Sequence, residues 1–578
     1  MQILNNIRKI RGKLIPRFVR LAIPYLSSEQ RWIARGLLTL LVFLMFADTS
    51  IAVLLNWQTG EFSTALAEQD ADRYWKSTYF TILLIVVGFP TYGLYYYVRD
   101  RLTLHWRNWM TSQFMTKYFA DRRYYKLTYS SSIDNPDQRI TDDINSFTSK
   151  SIYFLLIFIE TFLQIIAFSG VLWYLSPTLV WTLILYATFG TLLTTLVFGR
   201  PLVALNFFQL RNEADFRFSL IRVRENAESI AFYRGEDKER GYVQGRLTQV
   251  LSNTKRLVHW QFFLNSFQSL YTSASYVLPA IILAPSVLEG SMDVGAVVQA
   301  TGAFAKVFSA LNVVVSKFDQ LSYFTAGVGR LDRFSKILED VEDNDVSAEE
   351  IESTEVSATE KSSFQHVSLE TPDGKRVLVE DLQLDIENGS RLLIVGASGG
   401  GKSSLLRAFA GLWTSGKGAI SRPPLKDILF LPQRPYMVVG TLREQLMYPN
   451  ITSELQDGEL EDALVKVRLP KLIDRFGGLD AVCDWSKTLS LGEQQRLAIA
   501  RVFLSGQQFI VLDEATSALD EENEAEVYEK LASSGVTLVS ISHRLSVARF
   551  HTVVLILDGE GGWSKVSVEE YLKSSKES

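Results

Sequence analysis

The apolar residues of this chain fall into two unlike patterns. The first half holds six long, nearly charge-free runs, at about 33–55, 79–98, 152–175, 177–199, 268–288 and 294–318. Crossing the hydrocarbon layer of a bilayer takes about 20 mostly apolar residues in a helix, and each run is long enough. From Ser151 to Gly199 the only charge is Glu160, and from Leu257 to Ala305 the only charges are Glu289 and Asp293. Buried helices of a water-soluble protein rarely need such runs, so the pattern predicts six membrane-spanning helices. Two connections, 99–151 and 200–267, are long, charged and without Gly-Pro clusters, which predicts helices running on well beyond the membrane. The second half reads differently. Short apolar runs of four or five residues, such as Leu392–Val395 and Phe509–Leu512, are bounded by glycines and polar turns. They predict buried parallel strands of an α/β domain.

Charge divides the chain in the same way. Its 578 residues are 47% hydrophobic and 21% charged, with a net charge of −5. That near-neutral total is a cancellation. Residues 1–338 carry 35 Lys and Arg against 24 Asp and Glu, whereas residues 339–360 carry 10 acids and no base. The acidic stretch predicts a solvated linker between a membrane domain (1–338) and a second domain (361–578). Basic residues crowd 1–36 and 99–150, while the loop 56–78 and the Glu289–Asp293 loop are acidic. The positive-inside rule then places both termini in the cytosol. No cleavable leader is expected, because the basic start runs into an apolar stretch longer than a leader's core. One cysteine, Cys483, excludes an internal disulfide framework and a cysteine zinc cluster.

Two acids lie inside the apolar runs, Asp48 and Glu160. A carboxylate at mid-membrane costs about 2.5–3.5 kcal/mol on insertion scales. Both are therefore expected to face the bundle interior, with Glu160 a candidate cavity acid that contacts solute or protons; a plain helix–helix hydrogen bond is the alternative.

The second half carries chemistry. Segment 391–403, RLLIVGASGGGKS, runs from a strand into a glycine loop that opens a helix. It fits the P-loop pattern, in which backbone N–H groups wrap phosphate oxygens and the helix N-terminus adds positive potential. The nucleotide would lie against Gly396, Ala397, Ser398, Gly399, Gly400, Gly401, Lys402, Ser403 and Ser404, with Lys402 reaching the β- and γ-phosphates and the Ser403 hydroxyl on Mg²⁺. Segment 509–514, FIVLDE, is a strand ending in two acids: Asp513 would anchor the Mg²⁺ shell and Glu514 polarise the attacking water.

Segment 489–496, LSLGEQQR, followed by LAIARVF, makes the family resemblance plain. Residues 364–558 resemble the nucleotide-binding domain of ATP-binding-cassette (ABC) transporters, with Leu491 in place of the first glycine of the usual LSGGEQQR. Gln433 in LPQRPY resembles the Q-loop glutamine, Ser517–Asp520 the D-loop, and His543 in SISHR the switch histidine. The resemblance excludes a GTPase or kinase and implies an exporter-type six-span fold followed by an ATPase domain, using ATP and Mg²⁺. It implies Glu514 and His543 as catalytic residues, and Gln433 as a sensor of Mg²⁺ and of the membrane domain. Ser490, Gly492 and Glu493 would touch the ATP held by the other subunit, with Asp520 in the D-loop between them. The family usually stacks adenine on an aromatic ahead of the P-loop. Here the stretch SLETPDGKRVL has none, leaving Val377 or Leu378 or another contact.

With one ATPase domain and six spans the chain is half of such a machine, and a homodimer is expected. Segments 402–448 and 213–235, the run DWSKTLSLGEQQR and NPDQRI (Asn135–Ile140) resemble the peroxisomal fatty-acyl (adrenoleukodystrophy-type) half transporters and their SbmA/BacA-like bacterial relatives. The resemblance implies a multi-pass protein of the bacterial inner membrane, with a membrane and a transported solute as partners and no nucleic acid. NPDQRI is expected to form a turn between two long helices and to make the first coupling contact; 213–235 is expected to transmit ATP-driven closure. The solute is a peptide, corrinoid or other hydrophilic molecule, or alternatively a fatty-acyl or lipid-like one. A regulatory membrane ATPase without transport is the remaining reading.

Overall fold

A computed structural model describes residues 2–129, 135–343, 351–357, 361–371, 374–449 and 455–577. The chain forms two compact units, Met1–Asp343 and Asn344–Ser578.

In the first unit, six helices among the described residues are long and apolar enough to cross a membrane: Arg31–Ala67, Ala71–Thr128, Pro136–Leu175, Pro177–Gly199, Glu236–Leu288 and Val294–Val313. Five of the six expected runs lie within one of them, and the sixth, 294–318, overruns Val294–Val313 and the end of its helix at Ser316. The helix Glu236–Leu288 has 53 residues. At ~1.5 Å per residue it is about 80 Å long, more than twice the ~30 Å hydrocarbon layer. The charged connections are thus largely helical extensions of the spans. They break at identifiable places. Asp70 caps Ala71–Phe119 by accepting from Asp72 and Arg73 N–H groups, each at 3.0 Å. Ser176 is extended and Pro177 opens the next span at its first turn, where a missing N–H costs nothing.

NPDQRI differs from the expected turn. Asn135 sits at φ 51°, Pro136 starts a helix, and Arg139–Asp143 continue as a wide π turn into Ile144–Leu175. The segment is the root of the third span. Buried Asp143 fixes it, accepting from Arg139 Nη1 at 2.9 Å and Arg330 Nε at 3.0 Å. The 213–235 segment is helical to Glu225 and again over Ala227–Tyr233, with a left-handed cap at Arg234.

Two further helices flank the spans, Gln2–Ser27 and Phe318–Asp343. They meet through buried Asp332, which pairs with Arg17 at 3.5 Å, Arg20 at 3.2 Å and Lys336 at 3.7 Å. Beside them Tyr25 stacks on Trp106 at 5.4 Å, and Phe147 meets the Trp106 edge at the same distance. At the other end of the bundle the first and last spans touch through backbone. A Cβ on Gly60 would lie 2.9 Å from the Gly295 carbonyl oxygen, and Thr64 Oγ1 accepts from Gly295 N–H at 3.0 Å. Small residues allow this approach where no hydrophobic effect separates helix from lipid.

The second unit is α/β. A six-stranded sheet has the order 563–567, 553–557, 391–396, 537–541, 509–513, 428–431, all parallel except the first. A four-stranded sheet, in the order 352–355, 416–422, 362–370, 377–386, packs with it into one core. The acidic stretch is structured at both ends, unlike the extended linker expected. The preceding helix runs to Asp343, and Glu352–Glu355 is an edge strand parallel to Gly416–Arg422. Buried Ile351 anchors the strand, and residues 344–350 and 358–360 lie outside the described residues.

One buried base gives this unit a pH dependence. His551 is 5% exposed, its ring tilted against Tyr528 at 5.5 Å, with Nδ1 3.0 Å from the Val547 carbonyl oxygen and Arg391 nearby. Burial pushes its pKa down to about 4, and Arg391 adds to the effect. Between the unfolded value near 6.5 and the folded one, the unfolded chain binds the extra proton. Stability is therefore lost as pH falls from about 6.5 to 4, by up to ~3 kcal/mol. Thermal unfolding across that range is expected to flatten in His551→Phe; an unchanged slope would assign it to other groups.

Candidate nucleotide site

Open parallel sheets bind ligands beyond the carboxyl ends of their strands, and the sequence motifs converge there. The P-loop strand Arg391–Gly396 pairs with 537–541, whose other neighbour is 509–513, so Ser403, Asp513 and His543 arrive at one edge. Gln433 follows the strand Ile428–Leu431.

The P-loop needs its glycines individually. Gly396 has φ +150° and a Cβ there would stand 2.3 Å from the Leu557 carbonyl oxygen. Gly399 and Gly401 have φ +77° and +88°, and Gly400 N–H bonds to the Ala397 oxygen at 3.1 Å. Ala397 and Ser398 complete the loop, and the helix Lys402–Phe409 opens directly from it, carrying Ser403 and Ser404 in its first turn. The Lys402 ammonium is folded onto the loop, donating to the carbonyl oxygens of Gly396 at 2.9 Å and Ala397 at 2.7 Å. Burial lowers its pKa, against the pull of Glu514 and Asp513. These carbonyls hold the ammonium where phosphate oxygens can replace them as its partners.

Ser403 Oγ donates to Asp513 Oδ1 at 3.1 Å. Burial pushes the Asp513 carboxyl above the usual carboxylate range, while the Ser403 hydroxyl, Arg407 and Lys402 pull it back. A divalent cation removes that penalty, and the pair offers the hard oxygen donors Mg²⁺ requires. When bound, Mg²⁺ would neutralise charge on the phosphates; Ser403 and Asp513, with the Gln433 amide oxygen, would be the groups to hold it.

Glu514 is the hub. Its Oε1 lies 3.0 Å from His543 Nε2, and its Oε2 accepts from Gln433 Nε2 at 2.7 Å. Its backbone is left-handed at φ 50°, fixed by its N–H to the Ile541 oxygen at 3.2 Å. Such a conformation costs of order 1–3 kcal/mol outside glycine; here it turns the carboxylate toward the Q-loop and switch residues.

The signature is a separate element of the same unit. Ser490 caps the helix Leu491–Ser505 in a reciprocal capping box with Glu493. Burial works to raise the Glu493 carboxyl, but hydrogen bonds from Ser490 and the Arg475 cation hold it below its usual range. Gly492 is confined, since a Cβ would meet the Ala518 oxygen at 3.1 Å, whereas Leu491 is 45% exposed. The LSLGE variant thus keeps glycine at the crowded position. Among the described residues, Ser490 and Glu493 bond to each other and Glu493 to Arg475, not to the P-loop side chains. Asp520 caps the helix Glu521–Ser533 through Asn523 N–H at 2.8 Å. Of the two apolar adenine candidates, Leu378 is buried under Gly401, and Val377 is 40% exposed.

Three connecting residues stand in quoted segments that assign them no role: Gln495 in LSLGEQQR, Arg501 in LAIARVF and Arg544 in SISHR. Buried Gln495 donates to the Gln433 carbonyl oxygen at 3.1 Å and accepts from Ala518 N–H at 2.9 Å, joining Q-loop, signature helix and D-loop. Arg544 donates to the carbonyl oxygens of Ser517 and Leu519 and to Glu524. Arg501 is buried against Tyr448 and donates to Gln445 and Tyr436 oxygens, and burial pushes its pKa down to about 10. Their only sequence signal is a polar residue within an otherwise apolar helical stretch or beside a motif.

A family model of the ABC transporter transmembrane region 2 matches residues 20–288, and one of the ABC transporter matches residues 379–517. An uncharacterized ABC transporter ATP-binding protein of Synechocystis sp. is 45% identical over 542 residues, covering 93% of this chain and 82% of that protein. This chain belongs to the ABC transporter family. ABC transporter D family member 2, chloroplastic, of Arabidopsis thaliana is 37% identical, covering 93% of this chain and 85% of its own. The lysosomal cobalamin transporter ABCD4 of Homo sapiens is 30% identical over 96% of each chain. This ABC transporter carries its membrane and ATP-binding domains in one chain and is related to the D-family half-transporters. It hydrolyses ATP, with Mg²⁺ as the cofactor, to drive transport across a membrane.

Proposed function

We propose that two copies of this ABC transporter work as a symmetric homodimer in the bacterial inner membrane, with both termini in the cytosol, moving a hydrophilic solute of peptide or corrinoid type. The observation that carries the assignment of residues is the convergence of Lys402, Ser403, Gln433, Asp513, Glu514 and His543 at one sheet edge, with the signature's partners elsewhere in its own chain. The Gly396–Ser404 loop and Gln433 hold ATP and Mg²⁺, Glu514 takes the proton from the attacking water, and His543 contacts the γ-phosphate. Ser490, Gly492 and Glu493 of the second copy close the site, with Asp520 beside it. A relative named as a cobalamin transporter supports the corrinoid arm, and the SbmA/BacA-like resemblance supports the peptide arm.

Complementation tests the shared site. A Lys402→Ala chain and a Ser490→Arg chain should each be inactive, whereas their mixture holds one intact composite site per heterodimer and regains ATPase activity. No recovery would make each chain's site self-contained. For the solute, inside-out vesicles containing wild-type or Glu514→Gln chain are compared for ATP-dependent movement of labelled cobalamin, peptide and acyl-CoA. Movement of acyl-CoA alone would overturn the hydrophilic assignment.

A further inference from the structure

The membrane unit contains a cavity of about 140 Å³ whose chemistry is uneven. Asp48 of the first span and Glu160 of the third line it together, although 112 positions separate them. Tyr92, Tyr95 and Tyr96 of the second span form its aromatic wall, and Arg99 stands at the end of that wall. An engineered cavity of about 150 Å³ takes a benzene-sized molecule, so the space seats one functional group of a solute.

Its charges do not cancel. Among the described residues neither Asp48 nor Glu160 lies in an ion pair within 4 Å; Glu160 accepts a hydrogen bond from Gln164 Nε2 at 2.9 Å. Lys306 of the sixth span is near enough to act electrostatically on both carboxylates. Arg99 is paired with Asp100 at 2.8 Å. Arg99 is thus engaged by Asp100, and Lys306 is the cation that acts on both carboxylates, while Lys150 stands over the Tyr153 ring of the cavity at 5.3 Å. The wall also shows what it accepts. The Arg99 guanidinium lies over the Tyr96 ring at 4.5 Å, and Tyr92 O–H donates to Tyr96 Oη at 3.0 Å, the two rings meeting edge-on at 4.6 Å. Tyrosine faces attract cations through their ring quadrupole, and a cation is already seated on this one.

The geometry points to Asp48 and Glu160, with the tyrosine wall, as the subsite that recognises an amine or guanidinium group of the transported solute. This rests on the transport reading for its meaning, but its test is a binding measurement that needs no transport. An ammonium entering between the two acids gains charge-assisted hydrogen bonds in a place where water competes little. An apolar or anionic group of the same size gains none and leaves the carboxylates unpaired.

The test uses the purified full chain in lipid nanodiscs without nucleotide. Binding is measured for the dipeptide amide Lys-Tyr-NH₂, its norleucine counterpart Nle-Tyr-NH₂ with the N-terminus acetylated in both, and the polyamine spermidine. The Lys peptide, spermidine or both are expected to bind more tightly than the norleucine peptide, and which of them does so separates a peptide from a polyamine source. Asp48→Asn with Glu160→Gln is expected to weaken cation binding about ten- to a hundred-fold, the size of a lost charge-assisted hydrogen bond, and to leave norleucine-peptide binding where it was. Glu160→Asp, which keeps the charge, is expected to retain the cation preference; with an unchanged melting temperature it separates recognition from misfolding. Equal binding of lysine and norleucine peptides, or a cation preference that survives the double substitution, overturns the assignment. Cation-selective binding with no ATP-dependent movement in vesicles would instead uphold the subsite and count against transport of these probes.

Discussion

Glu514→Gln is expected to bind ATP and hydrolyse it about a hundred- to ten-thousand-fold more slowly, the range spanned by general bases. The substitution keeps the size of the side chain and its ability to hydrogen-bond Gln433 and His543, which now hold the carboxylate at 2.7 and 3.0 Å. It removes the one property an amide lacks, the capacity to take a proton from water. Because binding survives while turnover does not, ATP should accumulate on the chain and hold two copies together. Single-turnover hydrolysis beside nucleotide binding separates the two effects. A rate within a few-fold of wild type would move the base elsewhere, and His543 would be the next group to examine.

The second large effect concerns structure and binding together. Gly396→Ala is expected to abolish ATP binding and to destabilise the ATPase unit by more than about 3 kcal/mol, in the exceptional range for one substitution. The added Cβ would meet the Leu557 carbonyl oxygen at 2.3 Å, at a φ of +150° that alanine rarely adopts. That oxygen belongs to backbone, since Leu557 is the register partner of Gly396 in the adjacent strand. The strand cannot move aside without opening the sheet. Gly399→Ala supplies the contrast. Its φ of +77° is unfavourable too, but nothing stands within 4 Å of the new atom, so the cost stays near the 1–2 kcal/mol of a left-handed residue. Thermal unfolding and nucleotide binding of both variants decide the matter. A Gly396→Ala chain that melts and binds like wild type would refute the close contact.

The six spans were legible because membrane burial demands uninterrupted apolar runs, and the motif residues because phosphate binding needs neighbouring residues in a fixed order. What escaped has physical reasons. The helix Gln2–Ser27 alternates basic and apolar residues and contains Pro16 and Pro24, so it reads as neither a span nor an ordinary helix. The strand Glu352–Glu355 shows four exposed side chains of polar type; its place comes from backbone pairing with Gly416–Arg422, to which composition is blind. NPDQRI read as a turn because Asn-Pro favours one, whereas Pro136 at a helix start and Asp143 between two arginines make it a helix root. Gln495, Arg501 and Arg544 work across separations in sequence of 20 to 65 positions, and only the fold brings their partners within reach. The Glu160–Asp48 pair lies between these cases: each acid was conspicuous alone, but their shared cavity is a fact of packing.

The Arg20–Asp332 pair joins positions 312 residues apart. At about 5–20 residues per second of synthesis, the ribosome needs roughly 15–60 s to deliver Asp332 after Arg20 has emerged. For that interval the opening helix has lost water for its apolar side without gaining its final neighbour. A chain cut short before Asp332 therefore keeps Tyr25 on Trp106 but leaves Arg17 and Arg20 without the carboxylate they share.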